Sequence, residues 1–397
     1  MKCSISYHIP DADFWGRYTQ LWERSLHRSA FQSPHIAQYF AGLIQDGLAV
    51  FEYSCEGKLI ATALFKREHG YYTFLSDLKT DANFFLLDRD CAPETVRRVF
   101  EAFIGLVNKE KLTLMLNHFP AWASYTGILE DLLRSSSLYS MQLDYSVCPV
   151  AVGETPEALY KEVSSSRNTR YKVNKFVKQE NGTFEVLTDE ADIDHWTDEF
   201  CEAHVARWAP TPTPSAYRDP KRREFLKNCL HAWYADKVLV RFALRVGDKR
   251  IGFMVGLLED ETLIYHAPTF HPDYAHCSPG RALIYFITQW MAENNLRILD
   301  FGDGNEPYKY YVASKDQVLR RIFISGKYNL AFIAKTRFIK AVREHQKIYS
   351  LYQNKFKPAY RNLLGKVSVL LSSALNLGGL NLVVCDESLP DFSILPL

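Results

Sequence analysis

LIYHAPTFHPDYAHCSPGRALIYFITQWMAENNLRILDFGDGNEPYKYY, running from Leu263 to Tyr311, is the stretch that decides the fold. It opens on β-branched and aromatic residues that suit a strand, Leu263 to Phe270. A Ser-Pro-Gly turn follows, then an amphipathic run from Gly280 to Asn294 that suits a helix, then a short strand from Leu296 to Phe301. Ser278 can cap the helix, Pro279 is at ease at the first helical position, and Gly280 lets backbone come close to a ligand. The unpaired N–H groups of that first turn, the positive end of the helix dipole and Arg281 together form a natural pyrophosphate site.

Upstream, the same plan extends to helices between about Ile193 and Ala206 and between Asp219 and Tyr234. Strands over Val238–Val246, Ile251–Leu258 and Thr262–Phe270 come next, with turns at Gly247-Asp248-Lys249 and Glu259-Asp260-Glu261. About 190 residues earlier the pattern occurs once before, which marks an internal duplication. There the helices fall over Asp13–His27 and His35–Gln45, and the strands over Leu48–Ser54, Leu59–Lys66 and Tyr71–Leu75. A helix over Pro93–Asn108 and a strand over Leu112–Leu116 complete it. Strands that meander and then cross over through a helix make a mixed sheet. The first copy reads SDLKTDANFFLLDRDCAPETVRR (Ser76–Arg98) after its third strand, with no glycine turn at the helix start, so we expect it to bind no cofactor.

Two short motifs give the second copy a family likeness. Ser278-Pro279-Gly280-Arg281 after a strand, and Asp300-Phe301-Gly302-Asp303-Gly304-Asn305-Glu306-Pro307-Tyr308-Lys309 after the next strand, resemble the GNAT acyltransferases, within them the group named for the CelD/BcsL cellulose-biosynthesis proteins. His204, Arg207 and Trp208 echo the same group's "H..RW" signature. The resemblance is best from about Leu159 to Ser325. Cys277 stands where the general GNAT pattern has Arg or Gln.

The resemblance implies an α/β chain of two tandem GNAT-like domains, each a mixed central sheet flanked by helices. Residues 1–150 form a degenerate N-terminal domain, 151–330 the catalytic domain, and 331–397 a C-terminal helical extension with an apolar tail. It implies an N-acyltransferase moving an acyl group from acyl-CoA, such as acetyl-CoA, to a primary amine of a small molecule, for instance an amino sugar or amino acid used in a surface glycan or lipid. Ser278, Gly280, Arg281 and Ala282 would hold the cofactor.

Acyl transfer from a thioester to an amine needs a base, donors for the oxyanion and an acid for the leaving thiolate. Asp300, Asp303, Glu306 and His204 are candidate bases, and Tyr308 is the candidate acid. Arg207, Tyr265, Lys309 and Arg170 are candidate substrate contacts. Each has a plainer reading: Asp300 and Asp303 as turn residues, Glu306 as a partner of Lys309 or Arg281, and the tyrosines as core. FemABX aminoacyl-transferases have a similar tandem layout and take their acyl group from aminoacyl-tRNA, which is the rival donor. A non-catalytic scaffold in polysaccharide synthesis is the third alternative.

Composition bounds the rest. The chain has 397 residues, 47% hydrophobic, enough for two cores. Lys plus Arg number 47 against 46 Asp plus Glu, so the molecule lacks the field that DNA binding draws on and we expect no DNA partner. Five basic residues, Arg167, Arg170, Lys172, Lys175 and Lys178, cluster on one predicted helix. It suits a solvated face, an anionic ligand, or tRNA under the rival reading. Eight cysteines lie at wide spacings without a CxxC pair, as buried reduced thiols do.

No HExxH, GxGxxG after a strand or GxxxxGK[ST] occurs, and we expect no metal. The N-terminus has no apolar core after its charge, so no signal peptide and a cytoplasmic location are expected. Val367–Cys385 carries no charge and is close to membrane-helix length, but Asn376, Asn381 and Gly378-Gly379 weaken a span. Ordinary packing or a last strand is the main reading, with peripheral contact at the inner membrane face through the C-terminal tail as the alternative.

Overall fold

The computed structural model describes residues 2–77, 80–211 and 214–345; the apolar stretch 367–385 and most of the C-terminal extension lie outside them. The first half comprises β1 (Lys2–Ser6), α1 (Ala12–Glu23), α2 (Pro34–Gly42), β2 (Leu48–Cys55), β3 (Lys58–Glu68), β4 (Tyr71–Phe74), the short β5 (Leu86–Leu87), α3 (Pro93–Lys109), β6 (Leu114–Pro120), α4 (Thr126–Ser135) and β7 (Leu138–Val152). Two helices, α5 (Pro156–Ser165) and α6 (Arg167–Gln179), lead into the second half. It runs through β8 (Thr183–Leu187), α7 (Ile193–Trp208), α8 (Pro220–Ala235), β9 (Leu239–Val246), β10 (Lys249–Glu259), β11 (Thr262–Phe270), α9 (Pro279–Glu293), β12 (Ile298–Asp300) and β13 (Lys315–Gly326). The last described helix is α10 (Leu330–Glu344).

Local chemistry explains these boundaries. Asp11 accepts a hydrogen bond from the Phe14 N–H at 2.9 Å and starts α1. Asp219 does the same for Lys221, with Pro220 in the first turn of α8. Hairpins close at Glu56-Gly57 and His69-Gly70, where both central residues have positive φ, as a turn matched to strand twist requires. The repeat seen in the sequence is present, and each copy also starts on a strand, β1 and β8, that pairs with the first meander strand.

All the strands belong to one mixed sheet, in the order β1-β2-β3-β4-β6-β13-β7-β12-β11-β10-β9-β8, with β5 beside β3. The halves are therefore not two closed sheets. β13, the last strand of the second half, lies antiparallel between β6 and β7 of the first. The far end of β7 in turn pairs Val150–Val152 with Asp300–Ile298 of β12.

Three main cores follow from this. Phe51, Phe65, Phe85, Phe100 and Phe103 fill the first half beneath α3. Leu283, Ile287 and Met291 of α9 pack on Phe242, Leu263 and Leu299 in the second. The third belongs to both halves: Phe14, Trp22 and Phe40 share it with Trp196, Phe200 and Trp233, and Phe40 stacks on Phe225 with parallel rings 6.0 Å apart.

Because β13 and this joint core tie the halves together, denaturant should unfold them in a single transition. Ile322→Ala, at a fully buried position of β13, should lower stability by about 2–5 kcal/mol. Two resolved transitions, or loss of the second half alone, would contradict the shared-strand account.

Candidate functional site

β11 and β12 run parallel for three residue pairs only, from Thr262–Ile298 to Ile264–Asp300. Then β12 ends while β11 continues to Phe270. On its other edge β11 carries a bulge against β10: Val255 pairs Ala267 and Gly256 pairs Tyr265, so His266 is the extra residue on β11. After Asp300 the chain bonds to β7 instead, through the Phe301 N–H to Pro149 and the Gly304 N–H to Val147, so from Tyr265 onward β11 has no β12 partner. This unpaired end is the wedge, and the first turn of α9 follows the far end of β11.

In that turn Ser278 has φ +56° and its hydroxyl does not cap the helix, contrary to the sequence expectation. Its carbonyl accepts the N–H of Arg281 at 3.0 Å and of Ala282 at 3.3 Å instead. A Cβ built on Gly280 meets nothing within 4 Å, so the turn is open on that side. The Arg281 guanidinium rests over the Tyr311 ring at 4.0 Å, and Ala282 is fully buried. Lys175 of α6 donates to the His276 carbonyl at 3.0 Å, bringing the basic helix to the edge of this turn. Cys277 is buried, and desolvation raises its thiol, which disfavours the thiolate a nucleophile needs.

The segment after β12 is held by its own lysine. Lys309 is 3% exposed, and its Nζ donates to the carbonyls of Gly302 at 3.1 Å, Asp303 at 2.8 Å and Gly304 at 3.1 Å. Glu306 Oε2 lies 2.9 Å from the same nitrogen. An ammonium has three protons, and these are committed within the loop. The structure thus gives Lys309 the work of a clamp, where the sequence suggested an anion contact. Gly302 and Gly304 take φ of +65° and +109°, values that favour glycine.

Asp300 closes the turn by accepting the Gly302 N–H at 2.8 Å. Burial pushes its carboxyl up to about 7; the charge of Asp81 adds to the rise, while the Gly302 N–H and Lys309 oppose it. Asp303 behaves oppositely. Desolvation would raise it, but bonds from His118 and Ser146 outweigh this and hold it below the usual range. It bonds the Ser146 hydroxyl of β7, and His118 Nε2 of β6 is 3.6 Å away. Asp81, from the first half, accepts the Asp303 N–H at 3.2 Å and lies 3.4 Å from His266 Nδ1.

Tyr265 and Tyr308 flank Phe301, with ring centroids 5.5 and 6.5 Å from it. Desolvation raises both phenols, so they stay protonated near neutrality and able to donate. Arg207 of α7 stacks on Phe270 at 4.2 Å. Desolvation lowers its pKa, opposed by Tyr265 and Tyr308.

Tyr265, Tyr308 and Arg207 thus lie together about Phe301 and Phe270, with the Glu306 charge close to Tyr308; Asp300 lies on the other face of the strands, with Thr262 and Ile264. His204 is turned toward Ser215, its Nδ1 2.8 Å from the hydroxyl, and its ring stacks on Trp208. Arg170 stands on the exposed face of α6. Sequence reasoning did not single out Asp81, His118 or Ser146: they come from the first half, and no local motif marks them. Among the described residues no group of three or more His, Cys, Asp or Glu is placed to hold a metal ion, and no helix is long and apolar enough to cross a membrane.

Residues 164–310 match the model of the acetyltransferase (GNAT) domain. The chain also aligns with solved structures of the same fold. It matches FemX with a TM-score of 0.56 at 11% identity, covering 82% of this chain and 97% of that one. L-PGS from Bacillus licheniformis gives 0.52 at 11%, covering 84% and 98%. A conserved protein of unknown function from Bacteroides thetaiotaomicron gives 0.51 at 12%, covering 81% and 100%. No curated protein sequence matches the chain.

Lys309→Met should leave the loop carbonyls unsatisfied and cost about 1–3 kcal/mol of stability, read by thermal or chemical denaturation. An unchanged midpoint with lost ligand binding would instead make Lys309 a substrate contact.

Proposed function

We propose that the chain, whose residues 164–310 match an acetyltransferase (GNAT) domain, is an N-acyltransferase that moves an acyl group from acyl-CoA to a primary amine of a small molecule. An amino sugar or amino acid destined for a cell-surface glycan or lipid is the acceptor class we favour. The observation that carries this reading is the open first turn of α9 next to the parted ends of β11 and β12. The Gly280 N–H, the helix dipole and the Arg281 side chain suit a pyrophosphate, while the Arg281 and Ala282 N–H groups already donate to the Ser278 carbonyl, and the wedge suits an extended thioester arm.

The chemistry then follows from charge. Asp300, poised near neutrality, takes a proton from the incoming ammonium as the amine nitrogen bonds to the thioester carbonyl carbon. The C–S bond breaks, the leaving sulfur receives its proton from Tyr308, whose raised phenol pKa suits an acid, and the second proton lost by the nitrogen returns to the Tyr308 oxygen as the neutral amide forms. Arg207, beside both tyrosines, is placed for an anionic group of the substrate. His204 positions the α7 end through Ser215 and Trp208. The reaction is completed on the cytoplasmic side of the membrane in this reading.

A second donor has one observation in its favour. The alignment with FemX spans both halves, and α6 exposes Arg167, Arg170 and Lys178, a basic face suited to tRNA.

Calorimetry with CoA and acetyl-CoA separates the two. Wild type should bind in the micromolar range, and Gly280→Trp, which fills the open turn, should abolish binding. Absence of binding by wild type would shift the donor to aminoacyl-tRNA. For the base, kcat/KM should rise with pH along a limb near 7, because only the carboxylate accepts a proton. Asp300→Asn should remove that limb and lower kcat by about 10²–10⁴-fold; a persistent limb would move the base elsewhere.

A further inference from the structure

A cavity of about 260 Å3 lies where the two halves meet. Thr262 and Ile264 of β11, Asp300 of β12 and Glu259 at the end of β10 form its second-half wall. These side chains alternate with Leu263, Tyr265 and Leu299, which lie in the core beneath α9. The cavity and the α9 turn therefore occupy opposite faces of the same two strands. The first half supplies the other wall: His27, Arg28, Phe31, Asp81, Phe84 and Trp122.

Its polar groups are unusual for a mere packing defect. Glu259 Oε1 accepts the Ala30 N–H at 2.6 Å, reaching across the boundary between the halves. Burial pushes Glu259 up to about 8, and the charges of Asp300 and Asp260 add to the rise, while the Ala30 N–H and Ser29 oppose it. Asp300 is raised in the same direction by burial and by Asp81, against Lys309. Arg28 lies 3.5 Å from Asp260, and its Nε is buried without an acceptor. Desolvation lowers His27 and keeps it neutral, so it does not neutralise the carboxyls. Aromatic faces of Phe31, Phe84 and Trp122 complete a wall that suits the apolar body or cationic end of a small molecule.

We propose that this cavity is the acceptor site and takes a small protonated amine, its ammonium directed at Asp300 and Glu259 and its body against the aromatic wall. The proposal rests on the acyl-transfer reading and specifies its acceptor side. The amine approaches Asp300 from the face opposite α9, so donor and acceptor meet at the wedge without sharing an entrance. A cavity of this size takes a molecule of amino acid or amino sugar dimensions and excludes a folded polymer chain. It also explains what the first half contributes: one complete wall of the site, including Asp81, which touches both His266 and the Asp303 backbone.

The test is calorimetry on the full chain without any acyl-CoA. Glucosamine, lysine and ethanolamine are the probes, glucose is the uncharged control, and two buffers of different ionisation heat are used near pH 7. A cation placed between carboxyls that are partly protonated must drive protons off them. We expect at least one amine to bind with proton release, and glucose not to bind. Glu259→Gln keeps an oxygen for the Ala30 N–H, and should weaken that amine by about tenfold and reduce the proton release. Ala82→Phe, which fills the cavity, should abolish binding.

CoA affinity, measured separately, should be unchanged in both variants, which shows that they are folded. No amine binding at millimolar concentration, or binding indifferent to both substitutions, overturns the cavity as acceptor site while leaving the donor reading intact. Amine binding with these properties in a protein that ignores CoA upholds the cavity and fells the acyl-CoA reading instead.

Discussion

The insertion of β13 between β6 and β7 is the constraint on which the rest depends. β13 supplies both neighbours with a full ladder of hydrogen bonds, Leu319–Ile324 against β6 and Lys315–Gly326 against β7. β7 is thereby fixed along its whole length and can present Val150–Val152 to β12. The segment after β12 then settles on β7 through the Phe301 N–H to Pro149 and the Gly304 N–H to Val147, at 3.0 and 2.9 Å. Without the borrowed strand, Asp300 would have no fixed place relative to Asp81 or Ser146.

The same constraint divides the acidic groups by environment. Asp303 is met by Ser146 and His118 and stays ionised, whereas Asp300 and Glu259 are desolvated near other carboxylates and sit near neutrality. Groups whose surroundings push their pKa values apart are suited to different roles: Asp303 fixes the loop through Ser146, and Asp300 is the one poised near neutrality. Lys309 serves both ends of this division, holding the loop carbonyls while its charge tempers the rise of Asp300.

Two of the places where the backbone takes positive φ bear on the site. Gly302 is one of them, since a Cβ there would stand 2.6 Å from the Asp81 Oδ2, so the approach of the two halves at this point requires glycine. The first turn of α9 is the other, where Ser278 itself adopts the left-handed conformation and Gly280 leaves space beside the helix end.

Much of this was legible in the sequence, because it is local. The meander strands, the paired helices and the Ser-Pro-Gly helix start follow from periodicity and turn chemistry over a few residues, and the predicted strand Thr262–Phe270 has the bounds of β11. The cluster Asp300–Lys309 was visible as one segment, though its internal bonds were not. What tertiary structure decided is everything that joins distant residues. β13 could not be assigned to a partner in another repeat, since pairing across about 200 residues leaves no local pattern. Asp81 carries no local signal and Glu259 stands in a predicted turn; folding sets each against the other half, Asp81 at the Asp303 N–H and Glu259 at the Ala30 N–H. The sequence determined which elements form and where the Ser-Pro-Gly helix start stands; the shared sheet decided which charges meet, because desolvation and distance, not residue type, set their chemistry.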